Sequence, residues 1–340
     1  MTISRRQALA GLSLAALPLA ALPLATLPRS AQAAGYPDRT IRVVVPFAPG
    51  GNADLVARIL CQRMGERLGQ TMVVDNRAGA GGSVGAEVVA RAAPDGYTLL
   101  IGSNGPLTVN VLLQANLAYD PLTAFRPIGI ANRATHVLVV GPAQPPATQP
   151  QTMAEFLARA KADPGGMGVG TPGAGSAAHL TLELFNVAAG IQTNHIPYRS
   201  GGALVPDLIA GNVPAAMVEL SSVLSLHRDG KTKILAVAAD ARASQLPDVP
   251  TFAEAGVPNF LAASYVGLLA PAGIPADVEA KLASAFSAAL TDDLLKTRVD
   301  ESGGVVVSGP DTTPDGFAKF LREELGRARH AAELAGLKPE

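Results

Sequence analysis

The sequence predicts an α/β protein with two lobes and mainly parallel sheets. Strand-like and helix-like patterns alternate along the whole chain, and this alternation favours strand–helix–strand units. Several buried strands end in a turn rich in Gly, Ser, Thr or Pro, and each of these turns opens a helix. The chain has 340 residues, which exceeds a typical single domain and therefore favours two lobes.

The first 33 residues have the pattern of a secretory signal peptide. Arg5 and Arg6 precede an apolar stretch rich in Ala and Leu, and a small-x-small cleavage pattern ends at Ala33. Prolines interrupt the stretch, which disfavours a permanent membrane anchor. The twin arginines indicate the Tat route, but a basic Sec signal has a similar start, so both export routes stay open. We therefore expect a periplasmic protein.

The strands and helices follow from local patterns. The β-branched run Ile41–Val45 predicts the first strand because it is apolar and stops at Pro46. Apolar residues at helical spacing then predict a helix that begins near Asp54. Further strands are predicted at residues 71–74, 97–102, 137–140, 167–170, 195–197, 215–218, 234–238 and 265–269. Further helices are predicted at residues 84–92, 152–162, 177–188, 203–210, 277–291 and 316–333.

The composition excludes some classes of partner. Residues 1–33 hold three arginines and no acidic residue, so their removal leaves 24 basic and 28 acidic residues and a net charge of −4. This mild charge gives no support to nucleic-acid binding or to polybasic membrane binding. The one cysteine, Cys61, permits no intramolecular disulfide and falls within a helical apolar pattern. The five histidines are too scattered to indicate a metal site, so we expect no metal.

Three strand–helix turns with one layout form the candidate binding region. They include the Phe47 turn (residues 47–51), the Thr171 turn (residues 171–176) and residues 102–105. Amides at a helix start lack intrahelical partners, and the helix dipole favours an anion beside them. One such helix end contributes at most about 2 kcal/mol, whereas micromolar binding needs about 8 kcal/mol, so two opposing turns must share the ligand. For any single turn, a purely connecting role stays open.

The chemistry of the turns favours a carboxylate. None of them contains Lys or Arg, and the Gly-Lys-Ser/Thr of a phosphate-binding P-loop is absent. Residues 79–85 resemble a dinucleotide fingerprint, but their spacing is Gly-x-Gly-x-x-x-Gly, so we expect no cofactor. Ser176 lies near His179, but the Gly-x-Ser-x-Gly elbow of a nucleophile is missing because position 174 is Ala. No nucleophile–base pair is visible, so we expect no enzymatic activity.

The roles of three polar residues stay open at this point. His179 is either a ligand contact or a hydrogen-bonded core histidine. Asp54 either contacts the ligand or stabilises the start of its own helix. Arg199 either meets a second carboxylate or is a solvated loop arginine.

An ordered set of motifs extends over nearly the whole chain after residue 35. They are YPDRTIRVVVPFAPGGNAD at residues 36–54, DNRAGAGG at 75–82, GAGSAAHL at 173–180, IPYRSGG at 196–202, LPDVPTFAEAG at 246–256 and GLLAPAG at 267–273. This set resembles the Bug receptors, which are the solute-binding proteins of tripartite tricarboxylate transporters.

The resemblance implies a type II periplasmic-binding-protein fold, in which two lobes enclose a ligand cleft. Residues 34–135 and 263–340 would form one lobe, and residues 136–262 the other. The implied function is capture of a small organic carboxylate or amino acid by a monomeric receptor, which delivers it to membrane transporter subunits. A sensor that presents its closed form to a signalling partner stays open as an alternative, and an exported enzyme is a less favoured one.

The resemblance also places ligand contacts on both lobes. On the first lobe they are Phe47, Gly50, Gly51 and Asp54, and on the second Thr171, Gly175, Ser176 and His179. The residues expected to border the cleft and tune specificity are Ser103, Asn104, Tyr198 and Glu219. Two positions depart from the family pattern: Tyr265 replaces a common Trp, and Glu219 replaces a frequent Asp. The longer acidic side chain of Glu219 favours an amine-bearing or neutral ligand over a tricarboxylate.

Overall fold

The computed structural model describes residues 35–142 and 149–334. The predicted signal peptide at residues 1–33 lies outside the described residues. No helix in the part of the chain that the model describes combines the length and apolar character needed to cross a membrane.

The helices and strands alternate as the sequence predicts. The strands are β1 (Ile41–Val45), β2 (Met72–Asn76), β3 (Thr98–Gly102), β4 (Phe125–Val140), β5 (Gly168–Thr171), β6 (Asn194–Pro197), β7 (Ala215–Glu219), β8 (Lys233–Val237), β9 (Ala263–Pro271) and β10 (Gly304–Val306). The helices are α1 (Asn52–Leu68), α2 (Ser83–Ala90), α3 (Asn110–Leu113), α4 (Met153–Ala162), α5 (Ala177–Ala189), α6 (Gly201–Ala210), α7 (Leu224–Arg228), α8 (Ala276–Leu290), α9 (Asp293–Glu301) and α10 (Pro314–Leu334). Each predicted strand and helix is present, whereas α3, α7, α9, β10 and the first part of β4 were not predicted.

The strands form two sheets that share β4. The first sheet has the order β2-β1-β3-β9-β4, with β10 also paired to β4, and the second has the order β4-β7-β5-β6, with β8 also paired to β4. The pairs β1–β2, β1–β3, β5–β6 and β5–β7 are parallel. All pairs made by β4 and β9 are antiparallel. The sheets are therefore mixed, and the prediction of mainly parallel sheets was wrong for these two long strands.

β4 joins the two lobes, which we define as the elements packed on the first and on the second sheet. Phe125 to Thr135 pair with β9, and His136 to Val140 pair with β7. The chain returns beside this point, where the His136 amide donates to the Ala262 carbonyl at 3.1 Å. The crossing strands thus meet at His136, between the lobes.

Helices cover both faces of each sheet. On the first sheet, α1 and α8 pack against one face and α10 against the other, with Phe286 and Phe317 as buried aromatic residues. Along the end of β4, Leu138 and Val140 enter one core of the second lobe, while Val137 and Val139 enter the other. Cys61 lies in the first-lobe core, as predicted, and burial raises the pKa of its thiol to about 12.

Candidate ligand-binding site

The Phe47 turn leaves the start of α1 open. Gly51 precedes α1 and supplies no capping side chain. Side chains do cap five other helices of the described chain, at Thr152, Ser176, Ser200, Asp292 and Thr313. No side chain therefore occupies the free amides of the first turn of α1, and amides in such a position attract anions.

Asp54 holds the shape of the Phe47 turn. Its carboxylate accepts hydrogen bonds from the Gly50 amide at 3.0 Å, from the Arg58 guanidinium at 3.0 and 2.9 Å, and from Asn76 Nδ2 at 3.0 Å. Asn76 Nδ2 also donates to the Phe47 carbonyl at 3.0 Å. Burial alone would raise the pKa of Asp54, but these hydrogen bonds outweigh it and the pKa is lowered. The Arg58 side chain is 54% exposed, so this ion pair contributes only about 1 kcal/mol.

The Thr171 turn is held by two of its own side chains and by two histidines outside it. Thr171 ends β5, and its Oγ1 lies 2.7 Å from His195 Nε2. Ser176 caps α5 by accepting the His179 amide at 3.1 Å, and the Gly175 amide donates to His179 Nδ1 at 3.2 Å. Gly175 has a φ of +73°, in the left-handed region that favours glycine. His179 therefore contacts the turn directly.

The two turns approach the same pair of glycines from opposite lobes. A Cβ added at Gly82 would lie 3.3 Å from Cζ of Phe47, and one added at Gly81 would lie 3.2 Å from the carbonyl oxygen of Ala174. Asn110 is fully buried beside them, and its Oδ1 would lie 2.3 Å from a Cβ added at Gly175. The Thr171 turn of one lobe thus lies against Gly81 and Asn110 of the other, next to the glycine that the Phe47 ring approaches.

A polar cluster lies where the strands cross between the lobes. His136 is fully buried, with Nδ1 2.8 Å from Thr181 Oγ1 and Nε2 2.9 Å from Ser264 Oγ. Burial lowers the pKa of this imidazole to about 4. Oδ1 of Asn52, the first residue of α1, accepts a hydrogen bond from Asn132 Nδ2 at 2.9 Å. Its side chain also hydrogen-bonds with the Glu219 carboxyl, which opposes the effect of burial on the pKa of that group.

Glu219 ends β7 directly opposite His136 in the sheet. Burial raises the pKa of its carboxyl, although hydrogen bonding with Ser264 and Ser221 opposes the shift. The distance from Ser221 Oγ to Glu219 Oε2 is 3.5 Å. Glu219 thus brings an acidic group beside His136, where β4 passes between the lobes.

Other residues predicted to border the cleft are bonded within their own lobes. Asn104 accepts the Tyr265 amide at 3.0 Å and donates to Glu324 at 3.3 Å. The hydroxyl of Tyr198 donates to Asp207 at 2.9 Å. Ser103, directly after β3, is buried.

The structure shows the surroundings of Tyr265 and Arg199, whose roles the sequence did not decide. The ring of Tyr265 packs edge-on against Phe317 and Phe320, with centroid distances of 5.9 and 5.1 Å, so this replacement of a common Trp is a core position. Arg199 is exposed.

Asn52, Asn110, His136 and His195 are among the polar residues of this region that were not selected from the sequence. His136 stands directly before the apolar run of β4, and an isolated polar residue beside a buried strand was a signal that pointed to it. Asn110 and His195 carry no such signal because their contacts depend on elements distant in sequence. Within residues 35–142 and 149–334, no group of three His, Cys, Asp or Glu side chains is placed to hold a metal ion.

Comparisons with known proteins agree with this architecture. Residues 56–337 match the tripartite tricarboxylate transporter family receptor (TctC). Protein BugT of Bordetella pertussis is 34% identical over 304 residues, which cover 89% of this chain and 91% of BugT.

Two solved structures of related proteins have a fold similar to that of this chain. Rpa4515 of R. palustris, solved with adipate, is 32% identical with a TM-score of 0.83, over 90% of this chain and 100% of that one. MatC from Rhodopseudomonas palustris, solved with bound malate, is 33% identical with a TM-score of 0.81, over 87% of this chain and 99% of that one. These matches confirm the resemblance indicated by the motifs. The chain therefore belongs to the tripartite tricarboxylate transporter receptor family, whose members are periplasmic solute-binding proteins.

Proposed function

We propose that this protein is a non-enzymatic receptor that captures a small organic carboxylate or amino acid between its lobes. It delivers the ligand to the membrane subunits of a tripartite tricarboxylate-type transporter and acts as a monomer. Residues 1–33 serve as a cleavable signal peptide for export through the Tat or Sec route. The observation that carries the proposal is the start of α1, which follows two glycines, has no side-chain cap and therefore leaves its first amides free to meet an anion.

The cleft lies between residues 34–135 with 263–340 on one side and residues 136–262 on the other. Support for this division comes from β4, whose pairing changes from β9 to β7 between Thr135 and His136. Further support comes from the returning chain, because Ala262 bonds to Ala238 in the second lobe while Ala263 pairs with Thr135.

A carboxylate of the ligand sits between the Phe47 turn and the Thr171 turn. Backbone amides and the Ser176 hydroxyl supply the contacts, with Phe47, Gly50, Gly51, Thr171 and Gly175 forming the walls. Asp54 and His179 act by holding these turns, because their polar atoms bond to Gly50 and Gly175. The specificity of the cleft depends on its border, which comprises Ser103, Asn104, Tyr198 and Glu219.

Recognition relies on dipoles rather than on formal positive charge. Neither turn contains Lys or Arg, and His195 beside the Thr171 turn has a pKa lowered to about 4, so it is neutral at pH 7. Two helix ends at up to about 2 kcal/mol each, with hydroxyl and water-mediated bonds at about 1 kcal/mol or more each, approach the 8 kcal/mol of micromolar binding. Adipate and malate in two relatives support a carboxylate ligand. Glu219 favours a ligand that also carries a hydrogen-bond donor.

A ligand panel tests the proposal. We expect at least one acid among malate, succinate, adipate, aspartate, glutamate, citrate and benzoate to raise the melting temperature and to bind with micromolar Kd in calorimetry. Because the turns carry no cation, we expect Kd to change by less than about threefold between 50 and 300 mM NaCl. If no acid raises the melting temperature and the protein hydrolyses a test ester, the receptor function is wrong.

A further inference from the structure

We propose that His195 is a positioning residue that holds the Thr171 turn in the shape that receives the ligand carboxylate. His195 belongs to β6 and has no place in the set of ligand contacts. The inference rests on the proposed function, because it concerns how the same site is built.

The first contact of His195 is to the start of the turn. Its Nε2 lies 2.7 Å from Oγ1 of Thr171, which is fully buried. The same hydroxyl lies 3.3 Å from the Gly173 carbonyl oxygen and 3.4 Å from the Gly173 amide nitrogen. The imidazole therefore fixes the direction of a hydroxyl that organises the next two residues of the turn.

The second contact of His195 is a ring stack on His179, which in turn bonds to Gly175 near the end of the turn. His195 stacks on His179, with ring centroids 3.9 Å apart and planes 11° from parallel. Nδ1 of His179 accepts the Gly175 amide at 3.2 Å, so the plane of this ring determines where that amide points. By setting the plane of His179, one side chain holds both ends of the turn.

Burial and the neighbouring His179 favour the neutral form of His195, because both lower its pKa. From α5, the Glu183 carboxyl lies 3.8 Å from His179 Nε2, and burial raises the pKa of Glu183. From β5, the neutral Thr171 faces His195. A neutral His179 is needed, because a doubly protonated ring has no lone pair to accept the Gly175 amide.

Two substitutions separate the two contacts of His195. His195→Phe keeps a flat ring that stacks on His179 but removes the nitrogen that meets Thr171. His195→Gln keeps a polar atom near the position of Nε2 but removes the stack. The matched control is His227→Phe, because His227 Nδ1 accepts the Ile234 amide at 3.1 Å in the same lobe but away from the turn.

Calorimetry with malate, adipate and aspartate measures the effect on binding. We expect His195→Phe to weaken whichever acid binds the wild type by about tenfold, His195→Gln to weaken it by about threefold and His227→Phe to leave it unchanged. We also expect His195→Phe to add little to Thr171→Val in the double variant, because the two side chains act through one contact. Equal losses in His195→Phe and His227→Phe would indicate general destabilisation and overturn the inference.

A measurement without ligand separates this inference from the proposed function. Hydrogen exchange of the Gly175 amide, followed by NMR, should become at least about tenfold faster in His195→Phe and stay unchanged in His227→Phe. If exchange rises but none of the acids binds the wild type, the turn is positioned as inferred and the proposed ligand class is wrong. If exchange at Gly175 does not change, His195 does not position the turn.

Discussion

His136 couples the stability of the crossing region to pH. Its two ring nitrogens contact Thr181 and Ser264, and burial lowers its pKa from 6.5 to about 4. Between these two values the unfolded chain binds a proton that the folded protein does not. The stabilising contribution is therefore complete above pH 6.5 and is lost as the pH falls towards 4. At 1.36 kcal/mol per pKa unit, the loss amounts to about 3 kcal/mol.

A His136→Gln variant tests this linkage. Glutamine does not titrate, so we expect the variant to lose about 2–3 kcal/mol less stability than the wild type between pH 7.5 and pH 4. Urea unfolding at both pH values gives the two losses. His195 and His227, whose pKa values burial also lowers, are present in both proteins and cancel in the comparison. Identical losses in the two proteins would contradict the assignment to His136.

The structure shows the hydrogen-bond partners of Asp54 and His179, whose roles the sequence left open. Both carboxylate oxygens of Asp54 accept hydrogen bonds from its own lobe, which supports the role of stabilising the helix start. His179 is partly buried and bonds to the Gly175 backbone, so it combines features of a packed histidine with a place beside the ligand turn. The sequence alone did not distinguish these roles because it does not show the partners.

At the scale of elements, α1 and α5 start in different ways. Ser176 caps α5, while α1 follows Gly51 and has no side-chain cap. Ser176, which caps α5, is part of the Thr171 turn. Thr152, which caps α4, is not part of either turn of the proposed site. These two caps therefore form a matched pair with the same local chemistry and different distances from the proposed site.

Alanine substitution of each cap tests this difference. We expect Ser176→Ala and Thr152→Ala each to lower the free energy of unfolding by about 1 kcal/mol, because each loses one bond to an orphan amide. Only Ser176→Ala should also weaken binding, by roughly five- to tenfold, since a loss of about 1 kcal/mol at the site has that effect. Urea unfolding and calorimetry measure the two quantities. An equal loss of affinity in Thr152→Ala would remove the Thr171 turn from the site.

β4 shows where local pattern fails to predict an element. Its last four residues form an apolar run and were predicted, whereas Pro127, Gly129 and Asn132 interrupt the pattern of its first part. That part is a strand because β9 and β10 pair with it on its two sides. The pairing shifts register between Pro127 and Gly129 and again between Ile130 and Asn132, which accommodates the interruptions.

At the scale of the whole molecule, the contact between Gly175 and Asn110 joins the lobes. Gly175 comes from the Thr171 turn, and Asn110 begins α3 in the first lobe. Asn110 is anchored there by Nδ2, which donates to the carbonyls of Ala80 and Gly81 at 3.1 Å and to Ser83 Oγ at 2.7 Å. A side chain added at Gly175 therefore meets a fixed group of the opposite lobe and opposes closure.

Gly175→Ala tests closure, with Gly190→Ala as its control. Gly190 ends α5 with a φ of +61°, close to the +73° of Gly175, but an added Cβ there has no atom within 4 Å. We expect both variants to lose about 1 kcal/mol of stability from backbone strain. Small-angle scattering with a saturating acid from the panel should show contraction for the wild type and Gly190→Ala, but not for Gly175→Ala. Contraction of Gly175→Ala would show that this contact does not limit closure.

The sequence by itself determined the alternation of strands and helices and the neutral, glycine-rich turns that open helices. These features depend on residues close together in the chain, whose side-chain period and backbone freedom are visible in the pattern. Only the tertiary structure decided that β4 and β9 run antiparallel to their neighbours, that β4 belongs to both sheets and that Asn110 meets Gly175. It also decided that His195 stacks on His179. Such contacts join distant residues, and their distances and directions arise only when the sheets and helices have packed.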